Sequence, residues 1–139
     1  MLYKIILVSI IHRKNKSEIL LTRRNREPEF DKWSLPGGTG ALEIEADPQL
    51  AISKEVLSDF EAEIINPKLF CIKYIAQPEP TLRLYFQGEL SEEPKIRSVK
   101  TIKELSWFTF EEISHIDLAF KNTDNDIINQ FRKEFSNTK

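Results

Sequence analysis

The stretch from Trp33 to Ile64 constrains the fold of this chain most. It reads as a short apolar strand, a turn at Pro36-Gly37-Gly38, an acid-bearing loop and a helix that begins at Asp47-Pro48. Asp47 suits the N-cap, because its carboxylate can accept hydrogen bonds from the free amides of the first turn, and Pro48 suits the first helical position, where no N–H is needed. At about 100° per residue, Leu50, Ile52, Val56, Leu57 and Phe60 share one broad arc, and Lys54, Glu55, Ser58, Asp59 and Glu61 share the other. The first arc is predicted to pack on a core and the second to be polar.

Glu55 and Asp59 are four residues apart on that helix, where two carboxylates repel by a few tenths of a kcal/mol unless a cation lies between them. Oxygen ligands alone, with Glu43 and Glu45 just upstream, suit Mg²⁺ or Mn²⁺ and not zinc.

These residues resemble the Nudix hydrolases, whose signature is a Gly, five residues, a Glu, seven residues, then Arg-Glu-apolar-x-Glu-Glu-x-Gly-apolar. Leu35-Pro36-Gly37-Gly38 is similar to the entry of that box, and Lys54 to Ala62 lines up with its helical half. Lys54 stands at the signature Arg, Glu55 at the first helical Glu, Ser58 and Asp59 at the Glu pair, and Glu61 at the Gly. Residues 39–53 make the spacer from Gly38 to Lys54 two residues longer than the signature, so either Glu43 or Glu45 can stand for the loop Glu, with Glu45 favoured.

The resemblance implies an α/β fold, an α/β/α sandwich with a central mixed sheet, and a pyrophosphohydrolase that uses Mg²⁺ or Mn²⁺. On that alignment Glu55, Asp59 and Glu45 are the expected metal ligands, Glu55 and Lys54 the catalytic pair, and Gly37 and Gly38 the turn that admits phosphates. Ser58 removes one carboxylate, Asp59 shortens another, and Lys54 cannot reproduce the two-bond fork of Arg. In this family a later loop often supplies a further acid, for which Glu92, Glu93 and Glu104 are candidates. Members often pair, so a homodimer is also an expectation of the resemblance.

Elsewhere the chain reads as scaffold. Its 139 residues suit a single domain, 1–139, with a core of its own, and twenty basic against 22 acidic residues give a net charge of −2 without a basic stripe. That argues against nucleic acid as the main partner. The run Ile5–Ile11 is too short to span a bilayer and lacks a cleavage site, so it reads as a buried strand, with no membrane partner and a cytoplasmic location. Cys71 reads as a packed thiol, and His12 and His115, without cysteines beside them, do not make a zinc site.

Asn15-Lys16-Ser17 predicts a turn and Glu18–Arg24 a second strand, forming a hairpin. The patch Arg23-Arg24-Asn25-Arg26 is followed by the loop 27–32; beside a pyrophosphate site, Arg23 or Arg24 is the natural fork for phosphate. One or two strands are expected over Glu63–Ala76 and another over Leu82–Leu90, where alternation sends one of Tyr85 and Phe86 outward. Ser91–Lys103 is expected to be a loop bordering a cleft. Leu105–Phe110 reads as a strand in which Trp107, Phe108 and Phe110 pack inward, as Trp33 does in its own strand. A short helix from Glu111 follows, then an amphipathic helix over Asn122–Phe135 with Ile127, Ile128, Phe131 and Phe135 on its apolar side.

Asp117-Leu118-Ala119-Phe120, with the approach Arg-Glu-Pro to Trp-Ser-Leu-Pro-Gly-Gly, looks somewhat like ADP-ribose hydrolases. The resemblance therefore implies a nucleotide-type small-molecule substrate, a nucleoside diphosphate linked to another moiety, with nucleoside triphosphates as the competing class. A second reading is a nucleotide-binding or regulatory module with reduced catalysis, and a third is an α/β domain whose acids are mere surface.

Overall fold

The apolar N-terminal run becomes the centre of the sheet. In the computed structural model, which describes residues 2–38 and 40–136, β1 (Lys4–Arg13) runs parallel to β6 (Thr81–Leu90), from Lys4 opposite Thr81 to Ile11 opposite Gly88. Antiparallel to β6 on its far side lies β5 (Ile64–Ile75), a single strand that absorbs Asn66-Pro67 in a register shift between Ile65 and Lys68. The parallel β1–β6 pair among antiparallel neighbours makes the sheet mixed, as expected, and with β2 (Glu18–Arg24) and β3 (Trp33–Ser34) the strand order is β3-β2-β1-β6-β5.

On its other edge β1 changes partner, and that change creates the site. His12 and Arg13 pair with Ile19 and Glu18 of β2 (Glu18–Arg24) around the expected turn, where Lys14, Asn15 and Lys16 all take positive φ. Further back along β1, Leu7 and Val8 pair instead with Gly38 and Gly37 of β4 (Gly37–Gly38). The strand β3 (Trp33–Ser34) lies on the end of β2, with Ser34 opposite Thr22. Segment 33–38 thus bridges the gap where β2 splays from β1. Its midpoint is pinned by Ser9, whose backbone N–H (2.8 Å) and hydroxyl (3.2 Å) both donate to the Pro36 carbonyl. β7 (Ile102–Thr109) covers the outer edge of β2.

Helices close both faces, and the two cores follow from strand alternation. Leu7, Ile11, Leu20 and Phe86 face α2 (Pro48–Phe60), whose Ala51, Ile52, Val56 and Phe60 meet them. Val8, Ile10, Ile19, Leu21 and Tyr85 face α4 (Lys121–Ser136), with its Ile127, Ile128 and Phe131. Because the sheet is covered on both sides, Tyr85 and Phe86 are both buried, and the expectation that one points outward is corrected. Trp33, Phe108 and Phe110 pack against the α4 core and Trp107 against the α2 core, as expected. The side chain of Phe135 lies outside the described residues. Cys71 is partly buried against the α4 core, and burial pushes its thiol up, which suits packing and not nucleophilic attack. Among the described residues no helix is long and apolar enough to cross a membrane.

The helix start is as the sequence predicts: the Asp47 carboxylate accepts from the amides of Gln49 (2.9 Å) and Leu50 (3.4 Å), with Pro48 first in the helix. The facing of α2 is not. Leu50 and Leu57 are 53% and 41% exposed, while Ala51 is buried. At about 100° per residue, Glu55 and Asp59 fall between Ala51 and Ile52, within the arc that meets the sheet. Both acids therefore sit on the inward face, at the end of the sheet where the splay leaves room. A short helix unforeseen in the sequence, α1 (Ala41–Ile44), interrupts the acid-bearing loop, and α3 (Phe110–Ile113) starts at a capping box between Thr109 and Glu112.

His12 gives a pH test of this core. Its ring is 3% exposed, Nε2 lies 2.9 Å from Gln87 Oε1, and Glu89 and Lys16 act on it from nearby. Burial holds the imidazole below its ordinary value of 6.5, outweighing Gln87 and Glu89. The unfolded chain therefore takes up the proton first, so the stability contributed by neutral His12 is complete above the ordinary value and is lost as pH falls through the depressed one. Urea midpoints at pH 7.5, 6.5 and 5.5 are expected to fall toward acid, and His12→Gln to flatten that slope.

Candidate functional site

The splay between β1 and β2 opens a cavity of about 490 Å³. Its floor is segment 34–37, one wall is Glu55, Ser58 and Asp59 of α2, and the opposite wall is the loop 97–101 with Ile102 at the start of β7. This loop is the expected cleft border, and it is anchored to the C-terminal end of α2. The amides of Lys95 and Arg97 donate to the carbonyls of Phe60 (2.9 Å) and Asp59 (2.8 Å), which as last-turn carbonyls have no helical partner. Ser98 Oγ donates to Asp59 Oδ1 at 2.8 Å.

The two carboxylates are held under electrostatic tension. Burial pushes Glu55's carboxyl up and the charge of Asp59 pushes it further, while Arg26 pulls it back. Asp59 is likewise raised by burial, and the Ser98 hydroxyl and Arg26 oppose that. Glu55 lies over the backbone of Gly38, where an added Cβ would stand 2.6 Å from its Oε1.

This defines what the two glycines do. They do not make the expected turn: neither has a positive φ, and together they form β4 against β1. Their smallness is what matters, since a Cβ on Gly37 would stand 2.5 Å from the Leu7 carbonyl oxygen, a backbone atom. Gly37→Ala is expected to destabilise by roughly 1–3 kcal/mol, whereas Gly38→Ala meets only a movable carboxylate and displaces Glu55. Denaturation and turnover measured side by side are expected to separate them, with stability falling more in the first variant and activity relative to stability falling more in the second.

The other sequence candidates are placed differently. Glu45 accepts a 2.9 Å bond from Lys54 Nζ, which holds its carboxyl below the usual range, and neither residue lines the cavity. Glu43 is exposed on α1, Glu92 is exposed, Glu93 accepts from Arg13 (3.2 Å) and Glu104 from Arg23 (3.3 Å). Arg23 is also engaged by Asp31 at 3.0 Å and faces away from the cavity, while Arg24 lines it. The structure thus brings Glu55, Asp59, Arg24 and Gly37 together and leaves Glu45, Lys54 and Arg23 outside.

Arg24 and Gly37 also border a second cavity of about 310 Å³, with Gly38, Arg83 and Phe120 among its walls. Segment 117–119 docks on β3 through Trp33 N–H to Asp117 O (3.0 Å) and Ala119 N–H to Trp33 O (2.7 Å). That docking carries Phe120, in the left-handed region at φ 52°, to a place where the guanidiniums of Arg24 and Arg83 lie 5.0 and 5.1 Å from its ring centre. A bulky residue in that conformation is strained, and here the strain sits on a cavity wall. Behind it, Arg83 Nη2 donates to both oxygens of buried Asp124 (3.1 and 3.2 Å), Tyr85 Oη donates to Asp124 Oδ1 (2.6 Å), and Arg83 Nε donates to Tyr85 Oη (2.8 Å). Burial and Asp124 push the Tyr85 phenol far up, so it remains a donor.

Sequence reasoning passed over Arg83 and Asp124. The available signal was a basic residue at Arg83 on the same face of an apolar strand as Tyr85, a placement that requires a buried acid elsewhere.

Among the described residues no three His, Cys, Asp or Glu side chains converge as a metal group. The donors at hand are two carboxylates, with Ser58 and Ser98 hydroxyls nearby. This set fits one hard cation that keeps several waters and shares phosphate oxygens, the usual habit of Mg²⁺, and does not fit a resident ion caged by protein.

A profile of the NUDIX domain matches residues 4–131. The fold is similar to the NUDIX domain of Shewanella oneidensis NrtR complexed with ADP ribose, with a TM-score of 0.81 at 14% identity over 96% of this chain and 89% of that one. It is similar to the MutT protein from Methanosarcina mazei Go1, with a TM-score of 0.77 at 23% identity over 99% and 96% of the two chains. A bifunctional NMN adenylyltransferase/ADP ribose pyrophosphatase from Francisella tularensis gives a TM-score of 0.72 at 18% identity over 96% of this chain and 42% of that one. No curated protein sequence matches significantly.

Proposed function

The chain belongs to the Nudix family, and we propose that it is a Mg²⁺-dependent pyrophosphohydrolase of a nucleoside diphosphate linked to another moiety, with ADP-ribose as the leading substrate. The observation that carries this reading is the junction of two cavities. One holds the box carboxylates Glu55 and Asp59, the other is walled by Phe120 and two arginines, and Arg24, Arg26, Leu35 and Gly37 line both. A diphosphate lying across that junction puts its phosphates beside the carboxylates and its organic end beside Phe120.

In this reading Glu55 and Asp59 hold the cation, Ser98 orients Asp59, and Arg24 and Arg26 hold phosphate oxygens by charge-assisted bonds. A divalent cation at the carboxylates would neutralise phosphoryl charge and lower the pKa of a bound water. Water adds across the phosphoanhydride, leaving two monophosphates. Lys54 acts only through Glu45, from outside the cavity. Support for ADP-ribose comes from the likeness of the fold to the Shewanella domain complexed with ADP ribose and to the Francisella ADP ribose pyrophosphatase, and from the Phe120 wall.

Initial rates with ADP-ribose and with the four nucleoside triphosphates, in Mg²⁺, in Mn²⁺ and in EDTA, test the substrate class. At least tenfold higher kcat/KM for ADP-ribose in Mg²⁺ and none in EDTA is expected; a preference for triphosphates overturns the substrate class. The alternative reading, a binding module with reduced catalysis, is favoured by Ser58, which leaves the cavity two carboxylates where the family signature has three helical acids.

A further inference from the structure

The charge of the main cavity is opposite to that of a metal cage. Arg24, Arg26, Arg97 and Lys100 line it against the carboxylates of Glu55 and Asp59 alone. Where the box signature carries a further Glu, this chain has Ser58, and the hydroxyl of Ser98 is spent on Asp59. Arg26 lines the same cavity as both carboxylates. Crowding shows on the basic side too: burial, then Arg26 and Arg83, lowers the guanidinium of Arg24, which stays charged. An anion seated between these groups relieves their mutual repulsion, and a second fixed cation does not.

We infer that the phosphates of the nucleotide are held by Arg26, Arg97 and Lys100 together with Arg24, so that the chain binds nucleoside diphosphates without any divalent cation, which is needed for turnover alone. This rests on the reading of the cavity as a nucleotide site. Metal then enters with or after the nucleotide, to a pair of carboxylates too few to hold it alone. Arg26, Arg97 and Lys100 are exposed at the mouth, so their replacement leaves both cores untouched.

The test is calorimetric titration of the full chain with the uncleavable α,β-methylene analogue of ADP-ribose, once in EDTA and once in Mg²⁺. Dissociation constants within about tenfold of each other are expected, and the EDTA value is expected to weaken by roughly tenfold for Arg26→Gln and by more for Arg26→Gln with Arg97→Gln, in proportion to the charge-assisted bonds removed. Binding in Mg²⁺ only, or an EDTA affinity unmoved in the double variant, overturns the inference and leaves the nucleotide site standing. Absence of binding in both buffers overturns the nucleotide site itself, and the inference with it. Unchanged melting temperatures in the variants confirm that the comparison concerns folded protein.

Discussion

Glu55→Gln is expected to lower Mg²⁺-dependent turnover by roughly 10²–10³-fold or more while leaving the protein folded and no less stable. The two effects have one cause. Glu55 lies on the inward face of α2 beside Asp59, and burial together with that neighbouring charge disfavours its ionised form. Arg26 offsets part of that arrangement and a cation between the carboxylates would offset the rest, so neutralising Glu55 removes a ligand and a repulsion at once. In the absence of metal the variant should melt at or above the wild-type temperature, and it should lose the stabilisation that Mg²⁺ with nucleotide gives the parent. Glu45→Gln is the control. Its carboxylate answers Lys54 and lies outside the cavity, so kcat should change by less than about threefold, within the small energies of exposed ion pairs. Equal losses in the two variants would show that the loop acid takes part in the chemistry alongside the inward face of α2, against its placement outside the site.

The second large effect is on stability. Asp124 is fully buried, Arg83 is 6% exposed, and the two are joined by two hydrogen bonds, with Tyr85 adding a third. Burial pushes the Asp124 carboxyl up and Arg83 and Tyr85 draw it back; three hydrogen bonds from two donors, one of them a fixed cation, hold the carboxylate as the partner of Arg83. Asp124→Asn leaves a guanidinium buried without its counter-charge, which destabilises by about 3–5 kcal/mol. For a domain of this size that is roughly 10–20 °C in melting temperature. Tyr85→Phe, which removes one bond, should cost about 1–2 kcal/mol. Combining Asp124→Asn with Arg83→Met should recover most of the loss, because the uncompensated charge is then gone. Urea denaturation of the four proteins decides this. A single Asn variant as stable as the parent would mean that the network is not held as an ion pair.

Much of this fold is legible in residue order. Local rules suffice where they act alone: at the Asp47-Pro48 helix start, the Asn15-Lys16-Ser17 turn and the apolar β1. Less legible is the facing of an element, which its neighbours set. Residue type alone places Leu50 and Leu57 on the core, yet the helix rolls to bury Ala51 and to bring Glu55 and Asp59 to the splay. Alternation puts Tyr85 and Phe86 on opposite faces of the sheet, and both are buried because α2 and α4 cover both faces. The site was legible in part. Glu55, Asp59 and Arg24 stand out from the box and the basic patch, while Arg83, Asp124, Ser98 and Arg97 gain meaning only once β6, α4 and the loop 97–101 are brought together. The resemblance gives Glu45 to the metal and Lys54 to catalysis, whereas in the structure the two bond to each other outside the cavity.

The central claim, that this cavity hydrolyses a nucleoside diphosphate linkage, is tested most directly by incubating the full chain with ADP-ribose and Mg²⁺ in H₂¹⁸O and reading the products by mass spectrometry. The account predicts AMP and ribose 5-phosphate, with a single ¹⁸O per cleavage on one of the two phosphates and no products in EDTA. Intact ADP-ribose after prolonged incubation, while the same ligand raises the melting temperature, would contradict it and leave a protein that binds the nucleotide without cutting it.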